Sequence, residues 1–140
     1  MSYLLDTNVI SEVAKPRPAV AVSRWLDAVP SGSLYLSVIA LGEIRRGVDS
    51  LPAGPKREKL RLWLETELPA WFEYRLIPVD AAIAERWGGL LAKVGRSVPA
   101  IDSLLAATAL ERGLRLVTRN EKDFHFPGLE VINPWKKQHT

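Results

Sequence analysis

Short apolar runs alternate with stretches of helical periodicity along the chain. Residues 3–5 form the first apolar run, residues 6–8 are typical of a turn, and residues 9–14 have helical periodicity that ends at Pro16 and Pro18. The same criteria predict further helices over residues 19–28, 39–48, 55–68, 81–94 and 101–111, and further strands over residues 34–37, 75–79, 114–118 and 130–132. Strands and helices therefore alternate through the whole sequence.

Three residues mark helix boundaries in this pattern. Asp80 precedes the periodic stretch 81–94 and is expected to be its N-cap, because an Asp carboxylate accepts hydrogen bonds from free backbone N–H groups. Gly113 is expected to end the helix over 101–111, since glycine adopts the left-handed conformation of a C-cap. Pro69 is expected to end the charged helix over 55–68.

Strands that alternate with helices predict an α/β fold with a mostly parallel sheet, covered by helices on both faces and joined by right-handed crossovers. No linker or internal repeat divides the sequence, so we expect one domain over residues 1–140. In such sheets ligands bind in the crevice beyond the carboxyl ends of the strands. Candidate functional residues are therefore sought at those ends.

Composition excludes several kinds of site. The chain has no cysteine, which excludes disulfides, thiolate zinc sites and cysteine nucleophiles. The N-terminus lacks the basic region of a signal peptide, and no apolar run has the length of a membrane span, so we expect a cytoplasmic protein without a membrane partner. The net charge of +3 is consistent with a polyanionic partner, although many proteins without a nucleic-acid role are equally basic.

Two acidic residues occupy positions that call for a partner. Asp6 follows the first predicted strand directly, where it is either a ligand-binding group or a helix N-cap. Glu43 lies on the apolar side of the helix over 39–48, together with Ile44 and Val48. A carboxylate on that side needs a metal ion or a cation beside it, so the alternative for Glu43 is a buried salt bridge.

Two further acids are placed near the same edge of the sheet. Asp102 shares one side of its helix with Leu105 and small alanines, and its alternative role is to complement the helix dipole. Asp123 lies in the loop after the strand over 114–118. It is a candidate site residue only because the other three acids are expected near the same edge of the sheet. Carboxylates gathered at one edge repel one another unless a cation lies among them, and such hard oxygen ligands suit Mg²⁺ or Mn²⁺.

Other known kinds of catalytic motif are missing from the sequence. There is no dinucleotide-binding glycine motif, no phosphate loop, no nucleophile elbow and no zinc-protease helix. The two histidines, His125 and His139, are too few for a zinc site, and we expect both to be surface residues.

Basic and aromatic residues provide weaker indications of RNA binding. The residues that could neutralise phosphates around the acidic centre are Arg45, Arg46, Lys93, Arg96, Arg119 and Lys122, although each is as well explained by a solvated surface. The tryptophans Trp25, Trp63, Trp71, Trp87 and Trp135 occur within helical periodicities or beside prolines. We therefore expect them in core or interface packing rather than in base stacking.

Four segments in order resemble the motifs of PIN-domain proteins of the VapC and FitB toxin type. They are LLDTNVISE at 4–12, SVIALGEIRRG at 37–47, DSLLAATA at 102–109 and TRNEKDF at 118–124, and the closing NPW at 133–135 is similar to the FitB-like branch. The resemblance implies a three-layer α/β/α sandwich and a divalent-metal endoribonuclease. It also implies the toxin of a bacterial toxin–antitoxin pair, and homodimers that bind a small antitoxin.

These observations together predict hydrolysis of RNA phosphodiesters by a carboxylate-held Mg²⁺, with Mn²⁺ as a substitute. The expected ligands and catalytic residues are Asp6, Glu43, Asp102 and Asp123. Four polar residues are expected to orient the water or a phosphate oxygen from behind these ligands: Thr7, Asn8, Thr118 and Asn120. Residues of these types also form turns, and turn formation is the preferred interpretation of Asn120. The alternative is a binding module that joins a DNA-binding antitoxin in a repressor complex and has slight nuclease activity.

Overall fold

A five-stranded parallel sheet forms the centre of the computed structural model, which describes residues 1–137. Its strands are β1 (Tyr3–Leu5), β2 (Leu34–Ser37), β3 (Leu76–Ile77), β4 (Arg115–Val117) and β5 (Val131–Ile132), in the spatial order β3-β2-β1-β4-β5. All four neighbouring pairs are parallel, and Tyr3 of β1 lies opposite Leu34 on one side and Arg115 on the other. The order reverses at β1, which places the switch point of the sheet beside the end of β1.

Helices cover both faces of this sheet. The helices are α1 (Thr7–Val13), α2 (Val20–Ala28), α3 (Val38–Asp49), α4 (Pro55–Leu62), α5 (Leu68–Phe72), α6 (Ala81–Val94) and α7 (Ala100–Arg112). One hydrophobic core contains Tyr3 and Leu5 of β1 with buried residues of α1, α2 and α3, and the other contains Leu4 with residues of α6 and α7. Alternate side chains of β1 thus enter opposite cores, as the pleat of a strand requires. The predicted three-layer α/β/α fold is confirmed.

Predicted helix caps agree with the structure in two places. The Asp80 side chain accepts a hydrogen bond of 2.9 Å from the backbone N–H of Ile83 at the start of α6. Gly113 ends α7 with φ +66°, a left-handed conformation that side chains rarely adopt. Within residues 1–137, no helix has the length and the apolar character needed to cross a bilayer.

The prediction that Pro69 ends its helix is wrong. Helix α4 ends at Leu62, and a π-helical turn over Trp63–Glu67 follows it directly. Helix α5 comes next and carries Pro69 in its first turn. The backbone N–H of Leu68 donates to the carbonyl of Trp63, five residues back. Proline is tolerated at the start of a helix because its missing N–H has no intrahelical acceptor there.

Strand β3 is shorter than the predicted strand over residues 75–79. Arg75 lies in a 3₁₀ turn before the strand and is buried. Its guanidinium donates to the carbonyls of Ser31 and Leu34, both at 2.5 Å, and to the carbonyl of Trp71. These contacts satisfy the buried cation with backbone oxygens, so Arg75 turns inward and does not continue the strand.

Candidate active site

Asp6 lies at the carboxyl end of β1, beside the end of β4. Its backbone N–H donates to the carbonyl of Val117 at 2.9 Å, which continues the parallel ladder by one residue. The side chain accepts hydrogen bonds from the Thr7 N–H at 2.7 Å and from the Thr118 hydroxyl at 2.8 Å. The pKa of Asp6 is nevertheless raised, because burial outweighs these bonds and because Glu43 and Asp123 are nearby.

Asn8 ties the start of α1 to the end of β4. Its amide nitrogen donates to the Thr118 hydroxyl oxygen at 3.3 Å and to the Asp6 carboxylate at 3.4 Å. Its amide oxygen accepts from the backbone N–H of Arg119 at 3.3 Å. The Asp6 carboxylate is therefore held from the start of α1 and from the end of β4, and the bond from Thr7 also makes Asp6 the N-cap of α1.

Glu43 extends from α3 toward the start of α1. The Thr7 hydroxyl donates to its carboxylate at 2.6 Å, a short distance typical of a charge-assisted bond. Ala40, Ile44 and Val48 of the same helix are buried, so Glu43 does lie at the edge of an apolar face. No basic side chain within residues 1–137 forms a salt bridge with Glu43, so the alternative of a buried ion pair is not what the structure contains.

Asp102 lies in the first turn of α7 and is half-buried. Its pKa is raised from 3.8 to about 6, mainly by burial and then by the charges of Asp6, Asp123 and Glu43 in that order. Its carboxylate therefore lies in the electrostatic field of all three other predicted acids. A position in the first helical turn also complements the helix dipole, but that effect would lower the pKa.

Asp123 occupies a 3₁₀ turn over Glu121–Asp123 and is exposed. It is near enough to raise the pKa of both Asp6 and Asp102. It does not line the cleft that the other three acids share. The structure therefore places Asp123 at the margin of the acidic group.

A cleft of about 410 Å³ opens at the carboxyl ends of β1 and β4. Its lining residues are Asp6, Thr7, Asn8, Ser11, Glu12, Lys15, Glu43, Asp102, Arg119, Asn120 and Trp135. Three predicted acids and three of the four predicted supporting residues thus face one space. Thr118 lies behind it, fully buried against Asp6.

The acids surround the cleft without converging on one point. Within residues 1–137, no group of three or more acidic, histidine or cysteine side chains is close enough to hold a metal ion. The donor set nevertheless consists of hard oxygens, and neighbouring acidic charges contribute to the raised pKa values of Asp6 and Asp102.

The predicted basic residues differ in their relation to the cleft. Arg119 lines it, with its guanidinium 5.3 Å from the centre of the Trp135 ring. Arg45 instead forms ion pairs with Asp49 and Glu65 on the surface of α3 and the π-helical turn. The remaining four, Arg46, Lys93, Arg96 and Lys122, do not line the cleft, and Arg96 donates to the carbonyl of His125 at 3.4 Å.

The histidine and tryptophan predictions are mostly confirmed. His125 is exposed, and His139 lies outside the described residues. All five tryptophans pack partly buried against one of the two cores. Trp135 departs from the prediction because its remaining surface lines the cleft.

Glu12 and Lys15 are cleft residues that the sequence analysis missed. Glu12 is only 6% exposed and accepts hydrogen bonds from Lys15 Nζ at 2.9 Å and from the Ala19 N–H at 2.8 Å. The bond from Lys15 is the main reason that the pKa of Glu12 is lowered. The signal for Glu12 was its helical spacing from Asn8, which places both on one side of α1, and Lys15 follows in the turn after that helix.

An apolar groove of about 650 Å³ adjoins the acidic cleft. It lies between α1, α3 and α4, and its apolar lining includes Ile44, Val48, Leu51, Leu60 and Trp63. Thr7, Ser11, Lys15 and Glu43 line both the groove and the cleft. The two spaces therefore form one continuous depression.

Comparison with known proteins gives consistent matches over nearly the whole chain. The family model described as PIN domain matches residues 3–126. The chain is 40% identical over 136 residues to the plasmid stability protein StbB of Pseudomonas syringae pv. tomato, covering 95% of this chain and 98% of StbB. It is 38% identical to the VapC ribonuclease Y4jK of Sinorhizobium fredii, with 95% and 97% covered, and 38% identical to the toxin FitB of Neisseria gonorrhoeae, with 94% and 97% covered.

Two solved structures share the fold. FitAB bound to an IR36 DNA fragment superposes with a TM-score of 0.89 at 34% identity, over 98% of both chains. VapBC2 from Rickettsia felis bound to a DNA fragment from its promoter superposes with a TM-score of 0.74 at 27% identity, over 94% of this chain and 97% of that one.

Proposed function

The chain belongs to the PIN-domain family, and from that premise we propose that it is a metal-dependent endoribonuclease that acts as the toxin of a toxin–antitoxin pair. Its relatives are named ribonucleases and toxins, which supports nuclease activity. The observation that carries the proposal for this chain is the cleft lined by Asp6, Glu43 and Asp102 at the carboxyl edge of the sheet.

The proposed cofactor is Mg²⁺, with Mn²⁺ as a substitute, held by Asp6, Glu43, Asp102 and Asp123. Hard carboxylate oxygens match these ions, and the raised pKa values of Asp6 and Asp102, to which neighbouring acidic charges contribute, support a cation among them. When bound, such an ion acidifies a water molecule and stabilises charge on the phosphate and the leaving oxygen.

The remaining residues of the cleft have supporting roles in this proposal. The Thr118 hydroxyl and the Asn8 amide hold Asp6, and the Thr7 hydroxyl holds Glu43, so both carboxylates keep fixed orientations. Asn120 forms its turn through the backbone, where its carbonyl accepts from Asp123 N–H at 3.0 Å, and its side chain is left facing the cleft. Arg119 and Lys15 are the cations that line the cleft within residues 1–137, and both can face RNA phosphates.

The proposed protein partner is a small antitoxin, as in the FitAB and VapBC complexes that share the fold. We place its inhibitory segment in the apolar groove between α1, α3 and α4, because that groove opens into the acidic cleft. We also propose that the chain forms a homodimer and that it acts in the cytoplasm, where RNA and antitoxin are present.

A second candidate function is supported by the two DNA-bound complexes. In that case the chain acts chiefly as the partner of a DNA-binding antitoxin and represses transcription, with slight nuclease activity. The two functions differ in whether the isolated chain cleaves RNA.

Cleavage of RNA by the purified chain tests the proposed function. We expect cleavage with Mg²⁺ or Mn²⁺ but not with Zn²⁺ alone, and Asp6→Asn should lower it at least about a hundredfold, since Asp6 holds the ion. Asp27→Asn, on the exposed surface of α2, is the matched control and should cleave like the parent. Full activity in excess EDTA, or in Asp6→Asn, would refute the proposal.

A further inference from the structure

Arg119 and Trp135 form a cation–π pair on the wall of the acidic cleft. The guanidinium lies over the indole at 5.3 Å from the ring centre, within the range of a cation–π contact. Arg119 is exposed, whereas Trp135 packs part of its surface against the first core. Both side chains line the same space as Asp6, Glu43 and Asp102.

Asn133 fixes the backbone of both members of this pair. Its amide nitrogen donates to the carbonyl of Arg119 at 3.2 Å, and its amide oxygen accepts from the N–H of Trp135 at 2.9 Å. The N–H of Arg119 is bound by Asn8, which also contacts Asp6. The pair is therefore attached through hydrogen bonds to the acidic centre.

The Arg119 guanidinium has no acidic partner within residues 1–137. Glu121, in the adjacent turn, is instead bound by Lys136 at 2.5 Å and by Asn133 at 3.3 Å. Glu12 contributes a favourable charge interaction with Arg119 but binds Lys15 and Ala19 directly. A structural role for Arg119 as an ion-pair partner is thus not what the structure contains.

We propose that Arg119 and Trp135 form a nucleobase-binding subsite, on which one base of single-stranded RNA stacks beside the acidic centre. This inference rests on the proposed ribonuclease activity. Indole rings and guanidinium planes are the surfaces on which proteins stack unpaired bases. A phosphate contact needs only N–H donors, which Lys15 also supplies, whereas a guanidinium held over an indole ring provides flat surfaces that suit a base.

The test uses a short single-stranded RNA that the wild-type chain cleaves, and a series in which one nucleotide at a time is abasic. We expect one abasic position near the cleaved bond to raise KM about tenfold for the wild type, the size expected for the loss of one stacked base. Trp135→Leu should raise KM for the intact RNA by a similar factor and should show no further penalty at that abasic position.

Conservative variants distinguish the loss of base stacking from the loss of charge and from the loss of folding. Trp135→Phe keeps an aromatic plane and should retain the abasic penalty, while Arg119→Lys keeps the charge and should lose most of it. Arg112→Lys, at the opposite edge of the sheet in an ion pair with Asp80, is the matched control and should behave like the wild type. Melting curves of all variants identify loss of folding.

Two results would overturn the subsite. They are an unchanged KM for every abasic RNA, and an abasic penalty that persists in full in Trp135→Leu and Arg119→Lys. Absence of RNA cleavage by the wild type would instead refute the proposed function. In that case, binding of the same oligonucleotides in EDTA, measured by fluorescence anisotropy, still decides whether the pair binds a base.

Discussion

Asp102 has a protonation equilibrium that depends on the acids around it. Its pKa is raised from 3.8 to about 6 by burial and then by Asp6, Asp123 and Glu43. Between these two values the folded chain binds the proton more tightly than the unfolded chain, so the free energy of unfolding decreases as the pH rises through this range.

We therefore expect Asp102→Asn in EDTA to melt at the same or a higher temperature than the parent near neutral pH, and the difference to disappear below the ordinary Asp pKa of 3.8. The variant should also lose most of the stabilisation that millimolar Mg²⁺ gives the parent. Thermal melts over a pH series, with Asp27→Asn as the control, measure both effects. A lower melting temperature with an intact Mg²⁺ shift would identify Asp102 as a purely structural residue.

Glu12 shows the opposite behaviour, because hydrogen bonds to Lys15 and Ala19 lower its pKa. Its stabilising contribution is present above the ordinary Glu pKa of 4.5 and is lost as the pH falls through the lower folded value. Glu12→Gln keeps an oxygen for the Ala19 N–H and removes the charge. We expect it to destabilise the chain by about 1 kcal/mol near neutral pH, and by less in acid.

Chemical denaturation at several pH values tests this expectation, with exposed Glu67→Gln as the control for loss of one surface charge. Equal destabilisation by Glu12→Gln at all pH values would contradict it. Although Glu12 is buried, the sequence did not predict this. Its burial depends on the loop from α1 to α2, which contains Pro16 and Pro18. Hydrophobic periodicity does not predict the course of such a loop.

At the scale of elements, α3 forms one wall of both the cleft and the groove. Gly47 lines the groove, and a Cβ atom built on it meets no atom within 4 Å. Gly47→Leu is therefore compatible with folding and should favour the helix, but its side chain extends into the groove. We expect binding of the antitoxin segment to weaken at least about tenfold, while RNA cleavage by the isolated chain is retained.

Gly42→Leu is the matched control, because Gly42 lies on the same helix, has equal free space and does not line the groove. Calorimetric titration with the antitoxin gives the affinities. Equal affinity of the antitoxin for the parent and for Gly47→Leu would show that its segment binds outside the groove.

Element boundaries could be predicted where local chemistry determines them. Asp80 and Gly113 have side-chain or backbone properties that end a helix by themselves, and both predictions are confirmed. Pro69 was wrongly predicted to end a helix, because the π-helical turn before it changes which backbone N–H groups need an acceptor. Arg75 was misplaced because its three carbonyl acceptors come from distant parts of the chain.

At the scale of the whole molecule, the cleft presents a concentration of negative charge to any partner. Asp6, Glu43 and Asp102 line it, and no ion pair within residues 1–137 neutralises them. We expect the antitoxin to inhibit by placing a cationic side chain, most favourably Arg, against these carboxylates, because a guanidinium offers them the positive charge that the proposed metal ion would supply.

Replacing that antitoxin Arg by Met should weaken binding at least about tenfold. The loss should be smaller against Glu43→Gln than against the parent chain, since one of the opposing charges has been removed. Titrations of the four combinations measure this coupling. Additive effects, or a complex whose acidic cleft stays empty, would contradict the prediction.

The order of the sheet determines when this site is completed during synthesis. Asp6 is translated before the groups that hold it, because the Val117 carbonyl and the Thr118 hydroxyl follow more than a hundred residues later. Their strand, β4, pairs directly with β1 at the centre of the sheet. A nascent or prematurely terminated chain that ends before β4 therefore lacks one side of the centre, so the proposed nuclease site is assembled only after β4 has been synthesised.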